Sequence, residues 1–210
     1  MSRGWRLINV IAMIFRRLKT GIEVSDRDFD AIYTRRLREI SRIHFTPVEV
    51  AKTAAQFLVK KPGTKVLDVG SGAGKFCMIG AACTNGFFTG VEQRQYLYQI
   101  SELLSNYYKL TNAKFVHSNI VEIEFRSFDA IYFFNSFYEN YFSKNPIDTS
   151  VRLDKSLYAI YAQYVREQLD TMPVGTRLAT YFSYLDEVPD SYEIQCADFD
   201  NKLKMWEKTV

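Results

Sequence analysis

The chain has 210 residues, which suits one domain with a small extension. Hydrophobic residues make up 47% and charged residues 24%, the usual balance for a globular protein with a hydrophobic core. The net charge of +3 is too small to indicate a nucleic-acid-binding protein by itself.

Aromatic and cysteine usage narrows the class further. There are 14 Tyr, 16 Phe and 2 Trp; we expect most of these rings to lie in the core, and a surplus also suits a pocket for a flat or hydrophobic substrate. The three cysteines, Cys77, Cys83 and Cys196, form neither a C-x-x-C pair nor an even disulfide set. With only two histidines, we expect no zinc site, and free thiols indicate a reducing, cytoplasmic location.

The first twenty residues predict an amphipathic helix. Arg3 and Arg6 precede an apolar run from Leu7 to Phe15, but the basic segment Arg16-Arg17-Leu18-Lys19 follows at once and no cleavage site is evident. The run is too short to span a bilayer, which takes roughly twenty residues. The helix either packs on the domain or uses residues 3–19 to contact a membrane surface or a partner.

Two more helices are expected before residue 60. Ser25 can cap a helix that continues to about Ile40. In Thr46-Pro47-Val48-Glu49, Thr46 is the predicted N-cap, proline is the first helical residue and glutamate completes a capping box for a helix to about residue 60. We therefore expect an N-terminal helical extension over residues 1–60 and a domain over residues 61–210.

From residue 61 onward, strands and helices alternate. This pattern predicts an α/β fold, a doubly wound, mostly parallel seven-stranded sheet with helices on both faces, and a C-terminal antiparallel β-hairpin. The predicted strands are 65–69, 86–92, 114–117, 130–134, 176–184, 192–197 and 202–206, and the predicted helices are 75–83, 94–110 and 154–169.

A glycine-rich turn follows the first strand. Gly70, Gly72 and Gly74 let the backbone approach a ligand, and the helix that begins near Gly74 directs free N–H groups at it. Nucleotides bind at such turns in doubly wound folds. The P-loop pattern fails because Phe76 follows Gly74-Lys75, and the dinucleotide pattern is imperfect because Lys75 replaces its third glycine.

The segment from Val66 to Phe76, VLDVGSGAGKF, resembles motif I of class I, Rossmann-like, S-adenosylmethionine-dependent methyltransferases. The resemblance implies that S-adenosyl-L-methionine is the cofactor. Glu92 ends the second strand twenty positions after Gly72, where an acidic residue accepts hydrogen bonds from ribose hydroxyls. A surface carboxylate is the alternative interpretation of Glu92.

The same resemblance implies a set of cofactor-binding residues. Asp68 would lie near the methionine end, although it could instead brace the loop. Asn119 takes the place of the aspartate that recognises the adenine amino group in the family, although a turn cap is the alternative. Phe45-Thr46-Pro47 resembles a segment that covers the cofactor in related enzymes. The whole set is Thr46, Asp68, Gly70, Ser71, Gly72, Gly74, Glu92, Asn119, Ile120 and Asn135.

The segment after the fourth strand carries the expected catalytic residues, Asn135 and Tyr138. They match the ends of the Asn-Pro-Pro-Tyr motif of amino-methylating enzymes, while Ser136 and Phe137 replace the prolines. The asparagine carbonyl would orient an amine, and the tyrosine would supply a wall or a hydroxyl. The motifs are most similar to those of protein-lysine methyltransferases without a SET domain and of N6-adenine methyltransferases.

Two features that the sequence lacks guide the choice of methyl acceptor. The absent prolines and the lack of a separate basic domain make nucleic acid the less favoured acceptor. We expect methylation of a protein lysine or another amine, on a protein or a small molecule. The sequence indicates no oligomeric state.

Two other functions stay open at this stage. One is a weak or inactive cofactor-binding module that docks on a partner or membrane through its N-terminal basic helix. The other is a nicotinamide-dependent oxidoreductase, which Lys75 and the lack of room for a substrate domain disfavour.

Overall fold

The computed structural model describes residues 13–142 and 146–210 of the chain. The strands are β1 Lys65–Val69, β2 Phe87–Glu92, β3 Ala113–His117, β4 Ala130–Phe133, β5 Arg177–Tyr181, β6 Tyr192–Asp198 and β7 Leu203–Lys208. The helices are α1 over residues 13–19, α2 Asp26–Phe29, α3 Arg35–His44, α4 Val48–Leu58, α5 Lys75–Cys83, α6 Gln95–Tyr107, α7 Tyr138–Tyr141 and α8 Lys155–Asp170.

The seven strands form one sheet in the order β3-β2-β1-β4-β5-β7-β6. Strands β1 to β5 are parallel, whereas β7 pairs antiparallel with both β5 and β6. The predicted fold class and the C-terminal hairpin are therefore confirmed. The strand order reverses between β1 and β4, and ligands of doubly wound sheets bind beyond the carboxyl ends of the strands at such a point.

Both faces of the sheet are covered. Along β1 and β4, alternate residues belong to two separate apolar clusters, Val66 and Tyr132 to one and Leu67 and Ile131 to the other. The N-terminal helices, α4 and α5 pack into the first cluster, and α8 packs into the second. This division confirms the prediction of helices on both faces.

The described part of the amphipathic helix packs on the domain. In α1, Ile14, Phe15 and Leu18 are all buried within the first cluster. The apolar face of residues 13–19 is therefore covered by this chain, and residues 3–12 of the predicted helix lie outside the described residues. Within residues 13–142 and 146–210, every helix is too short or too polar to cross a bilayer.

The single helix predicted from Ser25 to about Ile40 is wrong. Ser25 does cap α2 through a capping box with Asp28, but α2 ends at Phe29 and a 3₁₀ turn follows. Tyr33 is extended, with φ −92°, and its hydroxyl donates to the carbonyl of Ala73 at 3.1 Å. The helix is interrupted because Tyr33 turns toward the glycine-rich segment, and Thr34 then caps α3.

The predicted capping box of α4 is also wrong. The helix begins at Val48, its N-cap is Pro47, and no side chain of the cap accepts a hydrogen bond. Instead, the Val48 N–H donates to Asp26 Oδ1 at 3.0 Å. Because a carboxylate from α2 satisfies this N–H, the Thr46 hydroxyl is free to contact the Tyr132 hydroxyl of β4 at 2.8 Å.

Two strands end earlier than predicted. Strand β4 stops at Phe133 and β5 at Tyr181, because Asn135 and Phe182 adopt left-handed backbone conformations, with φ 40° and 50°. Such angles are costly for residues other than glycine and are concentrated at functional sites. Both residues lie at the carboxyl edge of the sheet.

Candidate cofactor and active site

A cavity of about 730 Å³ opens at the carboxyl edge of the parallel strands. Seven of the predicted site residues line it: Gly70, Gly72, Glu92, Asn119, Ile120, Asn135 and Tyr138. Thr46, Asp68 and Ser71 line a small cavity of about 20 Å³, which shares His44, Phe45, Gly70 and Phe134 with the large one. The sequence thus predicted residues that the fold brings to one place.

The glycine turn is closely packed on both sides. Gly70 and Gly72 have φ values of 73° and 55°, which side chains rarely adopt. A Cβ atom at Gly70 would lie 2.7 Å from Ser136 Cβ, and one at Gly72 would lie 2.8 Å from the Phe45 ring. Gly74 lines neither cavity and caps α5, so its position indicates a structural role.

Glu92 closes the turn from the neighbouring strand. Its Oε2 accepts from the Gly72 N–H at 2.9 Å, and its Oε1 accepts from the Arg94 N–H at 2.8 Å. Burial raises the pKa of this carboxyl, whereas the two backbone hydrogen bonds and the charge of Arg94 oppose the rise. Each oxygen keeps a lone pair for a hydroxyl of a ligand in the cavity.

Asp68, Ser71 and Thr46, together with His44 and Lys75, form the polar part of the small cavity. Burial raises the pKa of Asp68 to about 7, while a hydrogen bond from the Cys77 thiol at 3.3 Å lowers it and the charge of Glu92 raises it. The Ser71 hydroxyl is buried and lacks a hydrogen-bond partner among the described residues. A buried hydroxyl without a partner is costly, so a polar ligand group here would satisfy it.

Asn119 follows β3 beside the buried side chain of Ile120. Its Oδ1 accepts from the Val121 N–H at 3.3 Å, and its Nδ2 donates to the Tyr161 hydroxyl at 3.0 Å. The side chain therefore caps a 3₁₀ turn while Asn119 also lines the cavity. The cap and the adenine contact are compatible, because the carbonyl oxygen has a second lone pair.

The part of the cavity that is lined by residues following β4 and β5 is aromatic. Tyr138 stacks on Phe142 with ring centroids 5.9 Å apart, and it lies 5.7 Å from the ring of Tyr184. A hydrogen bond with Tyr184 raises the pKa of Tyr138. The ring centroids of Phe134 and Phe182 are 6.4 Å apart. We call Phe134, Tyr138, Phe142, Phe182 and Tyr184 the aromatic wall.

Several lining residues were not predicted from the sequence. Phe182 and Tyr184 follow β5, Lys202 lies in the turn between β6 and β7, and Lys204 lies in β7. No local motif marks these four residues. Buried Arg94 forms ion pairs with Glu139 at 3.0 Å and Asp148 at 3.2 Å. These pairs join the start of α6 to α7 and to the segment before α8, and only the folded structure shows them.

The residues at the carboxyl edge fit an adenosyl cofactor. The glycine turn leaves backbone close to the cavity, Glu92 offers two acceptor oxygens for ribose hydroxyls, and Ser71 has an unused buried hydroxyl. A buried carboxylate, Asp68, is available for the ammonium group of a methionine moiety. The individual contacts of these residues with the cofactor stay predictions.

Comparison with known proteins supports the same class. A family model described as a methyltransferase domain matches residues 60–207. The RNA methyltransferase from Salinibacter ruber, solved with S-adenosyl-L-homocysteine, superposes with a TM-score of 0.55 at 15% identity, over 78% of this chain and 93% of that chain. No curated protein sequence matches the chain.

Two further solved structures share the fold. TrmN from Thermus thermophilus has a TM-score of 0.55 at 14% identity, over 84% of this chain and 53% of that chain. The [4+2]-cyclase SpnF has a TM-score of 0.50 at 19% identity, over 63% of this chain and 44% of that chain. This chain thus spans about half the length of TrmN and less than half of SpnF.

The family match covers the glycine turn, Glu92, Asn119 and Asn135, which the structure brings to one cavity. At such low identities the three structures establish the fold, and the family model establishes the class. The chain therefore belongs to the family of S-adenosylmethionine-dependent methyltransferases.

Proposed function

We propose that the protein transfers a methyl group from S-adenosylmethionine to an amine nitrogen, with a protein lysine as the acceptor. The position of Asn135 carries this proposal. It lies two residues after the end of β4, in a left-handed backbone conformation with φ 40°, and lines the same cavity as the glycine turn and the aromatic wall. Ser136, the next residue, packs against Gly70, so Asn135 is held beside the cofactor cradle.

The chemistry requires an amine with a free lone pair in a dry, aligned site. When bound, the cofactor supplies an electrophilic methyl group. The Asn135 carbonyl would accept an N–H of the acceptor and so direct its lone pair. The aromatic wall would exclude water and hold the aliphatic part of a lysine side chain. Tyr138 belongs to that wall.

A tritiated-methyl transfer assay on a lysine-containing protein extract tests the role of Asn135. We expect Asn135→Ala to lower the transfer rate at least a hundredfold, whereas Asn135→Asp, which keeps an acceptor oxygen, retains part of it. The transfer rates are compared at saturating S-adenosylmethionine, so that a change in cofactor affinity does not account for the loss. Equal transfer by Asn135→Ala would refute the proposed role.

Lysines beside the aromatic wall favour a second candidate for the methyl acceptor, the exocyclic amino group of a nucleobase in RNA. Lys202 and Lys204 line the cavity beside the aromatic wall, and Lys204 forms no ion pair within the described ranges. Aromatic faces stack bases, and lysines attract phosphates. The Salinibacter ruber protein is an RNA methyltransferase, although its likeness to this chain is one of fold.

The same assay separates the candidates. Label in protein that is released as methyl-lysine supports the first candidate, and label in RNA that nuclease removes supports the second. A chain that binds S-adenosylhomocysteine but labels neither fraction nor any small amine would be a cofactor-binding module without catalysis.

We also propose that the enzyme works in the cytoplasm. Cys77, Cys83 and Cys196 are all free thiols, which a reducing compartment preserves. A fractionated lysate of the source cells, probed for the protein, tests this location.

A further inference from the structure

Lys75 is a buried cation at an unfavourable place. It is the first residue of α5, where the helix dipole repels positive charge, and it is only 2% exposed. Its ammonium lies 2.7 Å from Asp26 Oδ1, 2.8 Å from Asp30 Oδ1 and 3.3 Å from the Ser41 hydroxyl. The lysine is tolerated because these three groups surround it.

The partners of Lys75 come from three different parts of the N-terminal extension. Asp26 opens α2, Asp30 opens the 3₁₀ turn and Ser41 lies in α3. Asp26 Oδ1 also accepts the first N–H of α4. One ammonium therefore fastens residues 26–48 to the helix that follows the glycine turn.

The segment fastened in this way forms one side of the cofactor cavity. The Tyr33 hydroxyl donates to the carbonyl of Ala73, inside the turn. The Phe45 ring occupies the space over Gly72, and Thr46 contacts Tyr132. His44 and Phe45 line both cavities. The ion pairs act together with apolar contacts of this segment, because Phe29 and Leu37 are buried in the same cluster as Phe76 of α5.

We propose that Lys75 is a positioning residue for cofactor binding, which couples the docking of residues 26–46 on α5 to occupation of the cavity. A ligand that binds only when residues 26–46 are docked on α5 must stabilise the docked state. By the same linkage, contacts that stabilise the docked state must strengthen ligand binding. The proposal rests on the cofactor class and is independent of the acceptor.

The test compares S-adenosylhomocysteine affinity by calorimetry in Lys75→Met, Asp30→Asn and the unchanged chain. We expect at least tenfold weaker binding in Lys75→Met and a smaller loss in Asp30→Asn, which keeps Asp26. Lys52→Met is the matched control, because Lys52 pairs with Glu49 at 2.9 Å on α4, away from the cavity. Its affinity should stay within twofold.

Hydrogen exchange adds a measurement that a merely structural ion pair would not change. At a concentration that saturates the unchanged chain but not the more weakly binding Lys75→Met, S-adenosylhomocysteine should slow amide exchange across residues 26–46 of the unchanged chain and have a smaller effect in Lys75→Met. A folded Lys75→Met chain with affinity within twofold would overturn the proposal, as would unaltered exchange in the unchanged chain. If Lys75→Met does not fold, the affinity of Asp30→Asn and the exchange response of the unchanged chain still test the proposal. A chain with the expected coupling but no methyl transfer would refute the proposed function and leave this inference standing.

Discussion

At the scale of single residues, we predict that Asp68 makes cofactor binding depend on pH. Burial raises its pKa to about 7, and only its carboxylate form can pair with the ammonium of the cofactor. Affinity for S-adenosylhomocysteine should therefore increase between pH 6 and pH 8. Below the pKa it should fall by up to about tenfold per pH unit. Calorimetry across this range measures the slope.

Asp68→Asn provides the control for this pH dependence. The amide cannot ionise, so the variant should bind weakly and with a flatter pH profile. Because burial also raises the pKa of Glu92, the difference between the two profiles isolates the contribution of Asp68. A profile of the unchanged chain that is flat from pH 6 to pH 8 would contradict the prediction.

Two glycines separate backbone strain from close packing. Gly72→Ala places a methyl group in a left-handed position and against the Phe45 ring, whereas Gly63, with φ 85°, has open space around it. Each substitution should cost about 1 kcal/mol of backbone strain. Only Gly72→Ala should also weaken S-adenosylhomocysteine binding, by tenfold or more. Equal binding by the two variants would show that Phe45 does not position the turn.

Site residues on the glycine turn and at strand ends could be predicted because their roles are local in sequence. Gly70, Gly72 and Glu92 are marked by a strand, a turn and a fixed spacing, and the structure places all three at one cavity. The cap at Thr46 could not be predicted correctly, because the Asp26 carboxylate that replaces it is distant in sequence.

At the scale of elements, Arg94 joins α6 to α7. Its side chain is 5% exposed, and its partners Glu139 and Asp148 are also largely buried. Removing one member of such a network leaves uncompensated charge, so Arg94→Met should lower the free energy of unfolding by about 3 kcal/mol. Urea unfolding measures this change.

The matched control for this network is Arg152→Met. Arg152 also pairs with an aspartate, Asp154 at 3.0 Å, but it is 83% exposed. Exposed pairs contribute little, so this substitution should change the free energy of unfolding by less than about 1 kcal/mol. Similar losses in the two variants would mean that the Arg94 network is no stronger than a surface pair.

Element boundaries show the same limit of local information. Strand β1 and helix α5 have the predicted bounds, because apolar runs and glycines delimit them. The break between α2 and α3 could not be predicted, since it depends on Tyr33 reaching Ala73, forty positions away. The early ends of β4 and β5 likewise follow from the left-handed backbone angles of Asn135 and Phe182, which no local pattern marks.

At the scale of the whole molecule, strand order divides the cavity between two tasks. The ends of β1, β2 and β3 supply the glycine turn, Glu92 and Asn119, whereas the segments after β4 and β5 supply the aromatic wall. The positions of the glycine turn, Glu92 and Asn119 could be predicted because the sequence motifs and the fold class determine them. The acceptor end could not, because the antiparallel hairpin brings Lys202 and Lys204 to it from the end of the chain.

We propose that the N-terminal extension and residues 61–210 fold together as one cooperative unit. Ile14, Phe29 and Leu37 of the extension are buried in the same cluster as Val66 and Tyr132 of the sheet. Each large apolar side chain that loses its burial costs about 1.5–3 kcal/mol. The stability of a domain is about 5–15 kcal/mol. Losing the whole extension should therefore prevent folding.

A chain that begins at residue 61 tests this unit. Alone, it should show no cooperative thermal unfolding and no S-adenosylhomocysteine binding, because the apolar cluster on one face of its sheet keeps α5 and α6 but loses the buried side chains of α1 to α4. Mixed with a second chain of residues 1–60, it should recover both, since the cut falls in the exposed turn at Lys61 and removes no contact of the core. Cooperative unfolding of residues 61–210 alone would mean that the extension is an addition to a domain that folds without it.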